Sequence, residues 1–434
     1  MTLPLIFAAT CDISGKVRGK AFPADQLEKR MRRGVGWTPT NVQITCFDVM
    51  GESPFGALGD LLLVPDPKAE ARMTFGDVTE HFVLGDIVTL EGEPWDFCTR
   101  SLLKSALARL ERVADVSLLA AFEHEFQLRG VPALDNQGFG REGFELQRPM
   151  LEELMAGLAA AGIKPDSIMK EYGANQYEVV IGPDQGLRAA DAAVILREMT
   201  RSTARHFGEA ATFTPIRDPA GVGNGVHVHM SFLDKQGAPV TYDPDGPCGM
   251  SRLTSAFSAG VLKYLDQIIA LTAPSVISYE RLTPHRWSAA YNNLGFRDRE
   301  ASLRVCPVTG KDPASIARQF NIEYRASDAA ACPHLALAAI VHAGVQGIEE
   351  DLPAPAPTEE DLSLLSTEAL AARGYIRLPE SLEAALERME SSDVVRSWFP
   401  ADFLPVYRTH KAAELAHLAD MNTAARCAAY ESTY

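Results

Sequence analysis

An α+β fold in two parts is predicted by three features of the sequence. Strand-length apolar runs dominate the first ninety or so residues, long helical stripes begin after Trp95, and strand-like pieces alternate with those helices up to Arg325. A chain of 434 residues is also longer than one ordinary core organises. The change of pattern places a boundary near residue 93, between a small N-terminal domain (1–93) and a large second domain (94–434).

In the first part, residues 5–9, 42–47 and 61–64 are apolar runs bounded by Gly, Pro and Asp, and residues 80–90 form a further strand candidate. Residues 24–33 carry the helical pattern there. Beyond Trp95, residues 101–114 set Leu102, Leu103, Ala106, Leu107, Leu110 and Val113 on one helical stripe. Further stripes run through 150–161 (stopped by Gly162), 189–207 (stopped by Gly208), 251–271 and 334–348. The last has Pro333 at its start, where a missing amide costs little. Strands are expected at 117–128, 177–181, 225–232, 301–305 and 322–325. Residues 351–357, with Pro353, Pro355 and Pro357, read as an extended connector.

Composition narrows the function. Hydrophobic residues make up 46% and charged residues 23%, an ordinary globular mixture. With 41 basic against 57 acidic side chains, the formal charge is −16. Such a chain is a poor general partner for nucleic acid or anionic membrane. No apolar run reaches the roughly 18 residues of a spanning helix, and residues 1–7 lack a secretory pattern, so a cytoplasmic enzyme of small molecules is expected. The seven cysteines contain no CxxC pair, which argues against structural zinc or a disulfide framework.

Four segments carry chemistry. Glu123 and Glu125 lie two apart in an apolar strand and so face one side of a sheet, where like charges repel unless a cation sits between them. His227 and His229 share a face of the strand that follows the glycine-rich Gly221–Gly225 turn, pointing to a mixed histidine–carboxylate metal site. Glu171 and Glu178 converge only if Gly173-Ala174-Asn175 turns the chain. Between 281 and 325, Arg281, Arg286, Arg297, Arg299, Arg304, Lys311, Arg318 and Arg325 make a basic stretch in an acidic protein. It calls for an anionic partner, because guanidinium forks suit carboxylate and phosphate. Together these imply divalent cations holding a phosphate-bearing substrate beside a carboxylate. Spacing alone leaves ligase, kinase and metal-dependent hydrolase open.

In this order the blocks resemble the glutamine synthetase family over nearly the whole chain. They are Glu123-x-Glu125-Phe126, Glu171…Asn175-Gln176-Tyr177-Glu178, Gly223-x-Gly225-x-His227-x-His229-x-Ser231, Arg281-Leu282-x-Pro284, Arg299-x4-Arg304, and Glu323-x-Arg325 with Asp328 and Pro333. Residues 12–20 and 63–67 resemble the family's small β-grasp domain. The resemblance implies phosphorylation of the γ-carboxylate of glutamate by ATP, then displacement of phosphate by an amine. Glu125, Glu171 and Glu178 would hold one Mg²⁺ or Mn²⁺; Glu123, His227 and Glu323 would hold the ion bridging the nucleotide phosphates. His229 and Ser231 would face the nucleotide, Arg281 and Arg325 the glutamate carboxylates, Arg299 and Arg304 the phosphoryl group, and Gly225 the amino acid. It also implies a homo-oligomer, a dodecamer of two hexameric rings, with Asp48 acting in the neighbouring subunit's site.

Departures from the family pattern bear on the amine. Where ammonia-using members carry a glutamate six residues after the first arginine of the R-L-x-P-G-x-E block, this chain has Trp287. An indole cannot be a carboxylate base, but its face attracts a cation or packs an alkyl or aryl group; the structural alternative is a core anchor. Asp48 is kept without the rest of its loop pattern. Asn175 replaces a usual glycine, and Asn321 stands where a nucleotide-binding arginine is common, with Arg318 able to compensate. These changes resemble the branch that joins glutamate to polyamines, alkylamines, aromatic amines or ethanolamine. The alternatives are a glutamine synthetase using ammonia, and a non-catalytic structural or regulatory relative.

Overall fold

The computed structural model describes residues 3–132 and 137–434. Its N-terminal sheet contains β1 (Leu5–Cys11), β2 (Val17–Pro23), β3 (Val35–Trp37), β4 (Leu61–Phe75) and β5 (Val78–Val88), in the order β2-β1-β5-β4-β3. Only β1 and β5 run parallel; the other pairs are antiparallel. Helix α1 (Leu27–Arg33) precedes β3, and Gly34 ends it at φ +67°. The strand at 61–64 is longer than expected because the chain continues through a register shift between Pro65 and Glu70.

Residues 42–47 are not a strand. A 3₁₀ turn, Pro39–Gln43, leads into a loop in which the Thr45 amide donates to the Val49 carbonyl and Asp48 sits at φ +57°. Pro39 starts that turn, and local hydrogen bonds take the place of a ladder.

The second part begins at α2 (Thr99–Ala114) and holds a ten-stranded sheet. In chain order the elements are β6 (Ser117–Arg129), α3 (Arg141–Ala160), β7 (Pro165–Lys170), β8 (Gln176–Ile181), β9 (Asp184–Gln185), α4 (Gly186–His206), β10 (Ala210–Thr212) and β11 (Val226–Leu233). Then follow α5 (Arg252–Thr272), α6 (Ser278–Arg281), β12 (Leu294–Phe296), β13 (Leu303–Val305), α7 (Pro313–Gln319), β14 (Ile322–Ser327), α8 (Pro333–Glu349) and β15 (Pro357–Thr358). Five helices finish the chain: α9 (Thr367–Ala372), α10 (Leu382–Glu390), α11 (Asp393–Arg396), α12 (Phe403–His417) and α13 (Thr423–Glu431). The main sheet path is β15-β12-β13-β14-β11-β6-β8-β7.

The stripes behave as expected: Leu102, Leu103, Ala106 and Leu110 of α2 are buried. Helix α3 starts earlier than expected and carries Pro149 in its interior. Helix α8 is apolar and buried almost all round, as a helix enclosed by neighbours must be. It meets α5 backbone to backbone, since a Cβ on Gly347 would stand 2.3 Å from the Ala256 carbonyl oxygen. No helix among the described residues is long and apolar enough to cross a membrane.

A buried charge cluster joins the two sheets' layers. Arg100 of α2 donates to Asp191 of α4 (2.9 and 3.0 Å), Asp86 of β5 (2.7 Å) and Asp66 of β4 (2.9 Å). His334 Nε2 lies 2.8 Å from Asp191 on the other side.

Candidate active site

Four strands bring the acids and histidines onto one sheet face, and β13 adds an arginine to it. On β6 and β11, Glu123 pairs with His227; on β6 and β8, Glu125 sits directly opposite Glu178. On β14, Glu323 pairs with His229 of β11 and Arg304 of β13. Because side chains two apart share a face, this register gathers Glu123, Glu125, Glu178, His227, His229, Ser231, Arg304, Glu323 and Arg325. Glu171 arrives from outside the ladder. A turn after β7 carries it in, with Asn175 at φ +50° and its own amide donating to the Gln176 carbonyl at 2.8 Å. That left-handed conformation, natural to glycine or asparagine, accounts for Asn175 in a glycine's place.

His227 Nδ1 lies 3.1 Å from Glu123 and 3.5 Å from Glu323, and His229 Nε2 lies 3.3 Å from Glu123. Glu123, His229 and Glu323 offer one potential ligand cluster, and Glu123, Glu178 and His227 a second. The structure thus places Glu123 in both groups and His229 beside the metal candidates, not only toward a nucleotide. Arg304 Nε reaches Glu323 at 2.5 Å, and Arg325 pairs with the same carboxylate while donating to the Arg299 and Trp287 carbonyls at 3.1 and 3.3 Å.

The charges are unbalanced in a telling way. Burial, reinforced by Glu123, pushes Glu178 up to about 10, and burial pushes Glu125 up to about 7 against the hydrogen bond from the Gly225 amide. Burial raises Glu171 as well. Burial opposes ionisation of Glu123 and Glu323 too. Hydrogen bonds from His227 and His229 outweigh it at Glu123, and the charges of His227 and Arg325 do so at Glu323, so both stay below the usual range. Acids that must keep protons beside one another are those a hard cation would ionise. The carboxylate-oxygen and imidazole-nitrogen donor set fits Mg²⁺ or Mn²⁺.

Beside the acids lies a pocket wall of backbone. A Cβ on Gly225 would stand 3.1 Å from His227 Nε2, 3.3 Å from Arg281 Nη1 and 3.7 Å from Glu125 Oε1, so any side chain there would crowd the histidine and the arginine. Arg281 is buried, donating to Ser288 Oγ (3.2 Å) and the Ser327 carbonyl (2.7 Å), while its Nε has no partner among the described residues.

Several contributors were not visible in the spacing. Gln176 Nε2 donates to Glu125 (3.1 Å), the Gly223 carbonyl (2.9 Å) and Asn224 (3.0 Å), locking three segments together. Asn321 Oδ1 lies 2.9 Å from His229 Nδ1 and orients that ring. Cys306 Sγ lies 3.6 Å from Glu323 and 3.7 Å from His229, inside the site. Glu300 accepts from the amides of His285 (3.0 Å) and Trp287 (2.7 Å), stapling the loop that bears the indole.

Other residues lie further out. Trp287, at φ +53°, is 63% exposed, which rules out the core-anchor alternative. Arg299 and Arg318 are exposed, Arg318 in the last turn of α7. Asp48 accepts from Arg18 at 2.8 Å; its neighbour Phe47 packs on His417 and Tyr430 of the C-terminal helices. No described hydrogen bond joins Asp48 to the acid cluster.

The fold and this acid-lined, arginine-flanked face define a carboxylate–histidine cluster of the kind that divalent cations occupy. Residues 96–430 match the catalytic domain of glutamine synthetase and residues 2–95 its N-terminal domain. The chain belongs to the glutamine synthetase family and is a carbon–nitrogen ligase. It is 33% identical to gamma-glutamylpolyamine synthetase GlnA3 of Streptomyces coelicolor, over 90% of this chain and 85% of that one. Glutamine synthetase of Pyrococcus woesei is 30% identical over 89% of this chain and 84% of that one. A crystal structure of a novel glutamine synthase homolog superposes with a TM-score of 0.92 at 38% identity, covering 100% of this chain and 99% of that one. Enzymes of this family depend on ATP and a divalent metal, and use glutamate with ammonia or an amine.

Proposed function

We propose that the enzyme joins the γ-carboxylate of L-glutamate to a primary amine other than ammonia. ATP gives its γ-phosphoryl group to that carboxylate and leaves as ADP. The amine nitrogen then attacks the acyl carbon, phosphate departs, and the nitrogen loses a proton. Trp287 carries the reading. It holds the place of the acid that ammonia-using members employ, and its indole stands open to solvent on a stapled loop. The polyamine-ligating relative supports the same acceptor class.

In this reading, Glu125, Glu171 and Glu178 hold one divalent ion, and Glu123, His227 and Glu323 the other. Bound Mg²⁺ or Mn²⁺ would neutralise the triphosphate charge. Arg281 and Arg325 hold the glutamate carboxylates, and the Gly225 backbone lies against the amino acid. Arg299 and Arg304 counter the charge of the transferring phosphoryl group, where catalysis is chiefly electrostatic. His229, Ser231 and Arg318 face the nucleotide. In a double-hexamer dodecamer, Asp48 would serve the adjoining subunit's site.

The test is an assay with glutamate, ATP, Mg²⁺ and a panel of ammonium, ethylamine, ethanolamine, benzylamine, putrescine and spermidine. The expected result is a kcat/KM at least tenfold higher for an organic amine than for ammonium. A maximum at ammonium overturns the acceptor assignment. Trp287→Glu should move the preference toward ammonium; an ordinary glutamine synthetase with a rebuilt loop would show little change in ammonia turnover.

A further inference from the structure

Beside Glu171 the chain presents a large aromatic side chain that no hydrophobic core explains. Tyr172 is 70% exposed, although the turn beneath it is fixed from several sides. The buried Lys170 donates to the carbonyls of Glu171 (2.5 Å) and Gly173 (2.6 Å). The Tyr172 amide donates to the Glu171 carboxylate at 2.7 Å, and the Gly173 amide to Gln176 at 2.9 Å. The ring therefore stands out from a rigid base and is not a loose surface residue.

Its surroundings lead from the acid cluster toward Trp287. On one side the ring covers Gly138, where a Cβ would stand 3.1 Å from Tyr172 Cδ2, and the next residue, Phe139, is 57% exposed. The Phe139 amide donates to the Lys170 carbonyl at 3.2 Å, tying both aromatic loops to one strand end. On the other side Gly173 packs on Val222, whose Cγ2 lies 2.6 Å from where a Cβ would stand. The same 219–222 loop receives Arg286, which donates to the carbonyls of Gly221 (2.9 Å) and Pro219 (2.8 Å), one residue before Trp287. A rim of linked contacts thus runs from Phe139 and Tyr172 through Gly173 to residues 219–222 and on to Arg286, which Trp287 follows in the chain.

We propose that Tyr172, with Phe139 beside it, is a specificity-determining wall of the acceptor subsite, and that the acceptor is a primary amine whose hydrocarbon chain ends in a second ammonium group. The inference rests on the amine-ligase reading. Open aromatic faces take up both an alkyl chain and a cation, and a net charge of −16 draws polycations toward the molecule. Ammonium, with no chain, has nothing to lay against this rim.

The experiment compares Tyr172→Ala, Tyr172→Leu and Tyr172→Phe in the full-length enzyme, with putrescine, n-butylamine and ammonium as acceptors. For Tyr172→Ala the KM for putrescine should rise about tenfold while the KM values for glutamate and ATP, and ammonium turnover, stay within about twofold. Tyr172→Phe should restore putrescine binding. Tyr172→Leu should restore n-butylamine but not putrescine. If Tyr172→Ala leaves the putrescine KM unchanged while an organic amine remains the best acceptor, this inference fails and the amine-ligase reading stands. If ammonium is the best acceptor of the wild-type enzyme, both fail. A fall in assembly mass by light scattering with KM unchanged assigns Tyr172 to a subunit contact instead and overturns the proposal.

Discussion

Two buried charge clusters in this molecule obey opposite arithmetic. Around Arg100, the acids Asp66, Asp86 and Asp191 meet a guanidinium, the Lys104 ammonium on Asp86 at 2.5 Å and the imidazole of His334. Burial opposes ionisation of Asp191, yet the hydrogen bond from His334 and the charge of Arg100 hold it at about 2. On the sheet face, Glu125, Glu171 and Glu178 have too few cations, and their carboxyls climb. A cluster that closes its own charge is architecture; one that does not is waiting for a ligand. Acid content alone would have ranked the two alike.

The sharpest way to break the comparison is to exchange their sensitivities. Glu178→Gln copies the protonated carboxyl in shape, so with a chelator present its urea midpoint should match that of wild type. With Mg²⁺, its kcat/KM should fall by about 10²–10³-fold. Arg100→Ala removes the central cation from three carboxylates, leaving Asp86 to Lys104 and Asp191 to His334, and should destabilise the fold by about 3–5 kcal/mol, measured by urea denaturation. A Glu178→Gln enzyme that keeps its activity removes that residue from the metal site. An Arg100→Ala protein as stable as wild type removes the closed-charge account of the first cluster.

The clusters should also respond to pH with opposite signs. Glu178 and Glu125 are raised from an ordinary 4.5 to about 10 and about 7. The unfolded chain releases those protons first, so the metal-free protein should lose stability as pH climbs from about 4.5 through 7 toward 10. Asp191 is lowered from 3.8 to about 2, and its contribution is present above about 4 and lost as pH falls through 2. Urea midpoints against pH, with EDTA and with Mg²⁺, read both arms; Mg²⁺ should flatten only the alkaline one. At pH 7, divalent binding should expel between about one and two protons per chain, seen by calorimetry in buffers of different ionisation enthalpy. Binding without proton release would show that the acids were already ionised.

What the sequence disclosed follows from the same geometry. Glu123 with Glu125, His227 with His229 and Glu323 with Arg325 were legible as face-sharing pairs because strand alternation is local. The helical stripes were legible for the same reason. The Arg100 cluster was not, since Asp66, Asp86, Asp191 and His334 meet only through packing of separate elements. Gln176, Asn321 and Glu300 act through contacts between segments distant in the chain, which periodicity cannot register. Residues 42–47 looked like a strand because their apolar content outweighed the turn signals of Pro39 and Asp48. The convergence of Glu171 with Glu178 lay between these cases: the turn residues were visible, its direction was not.

That turn supports the smallest of the expected effects. Asn175 holds φ at +50°, and its side-chain amide donates to the Pro132 carbonyl at 3.1 Å. Asn175→Gly keeps the left-handed conformation and should cost only the lost side-chain hydrogen bond, about 0.5–1.5 kcal/mol. Asn175→Ala loses that hydrogen bond too and keeps a Cβ in a region costing about 1 kcal/mol, without the polar side chain that makes it natural for asparagine, so its urea midpoint should fall below that of Asn175→Gly. The second consequence concerns the open cluster: relaxing the turn displaces Glu171 from Glu178, so Mn²⁺ affinity by titration should weaken a few-fold in Asn175→Ala and recover in Asn175→Gly. If the alanine variant loses stability but binds Mn²⁺ as tightly as wild type, Glu171 stands outside the cage, and Glu123, Glu178 and His227 must hold the ion without it.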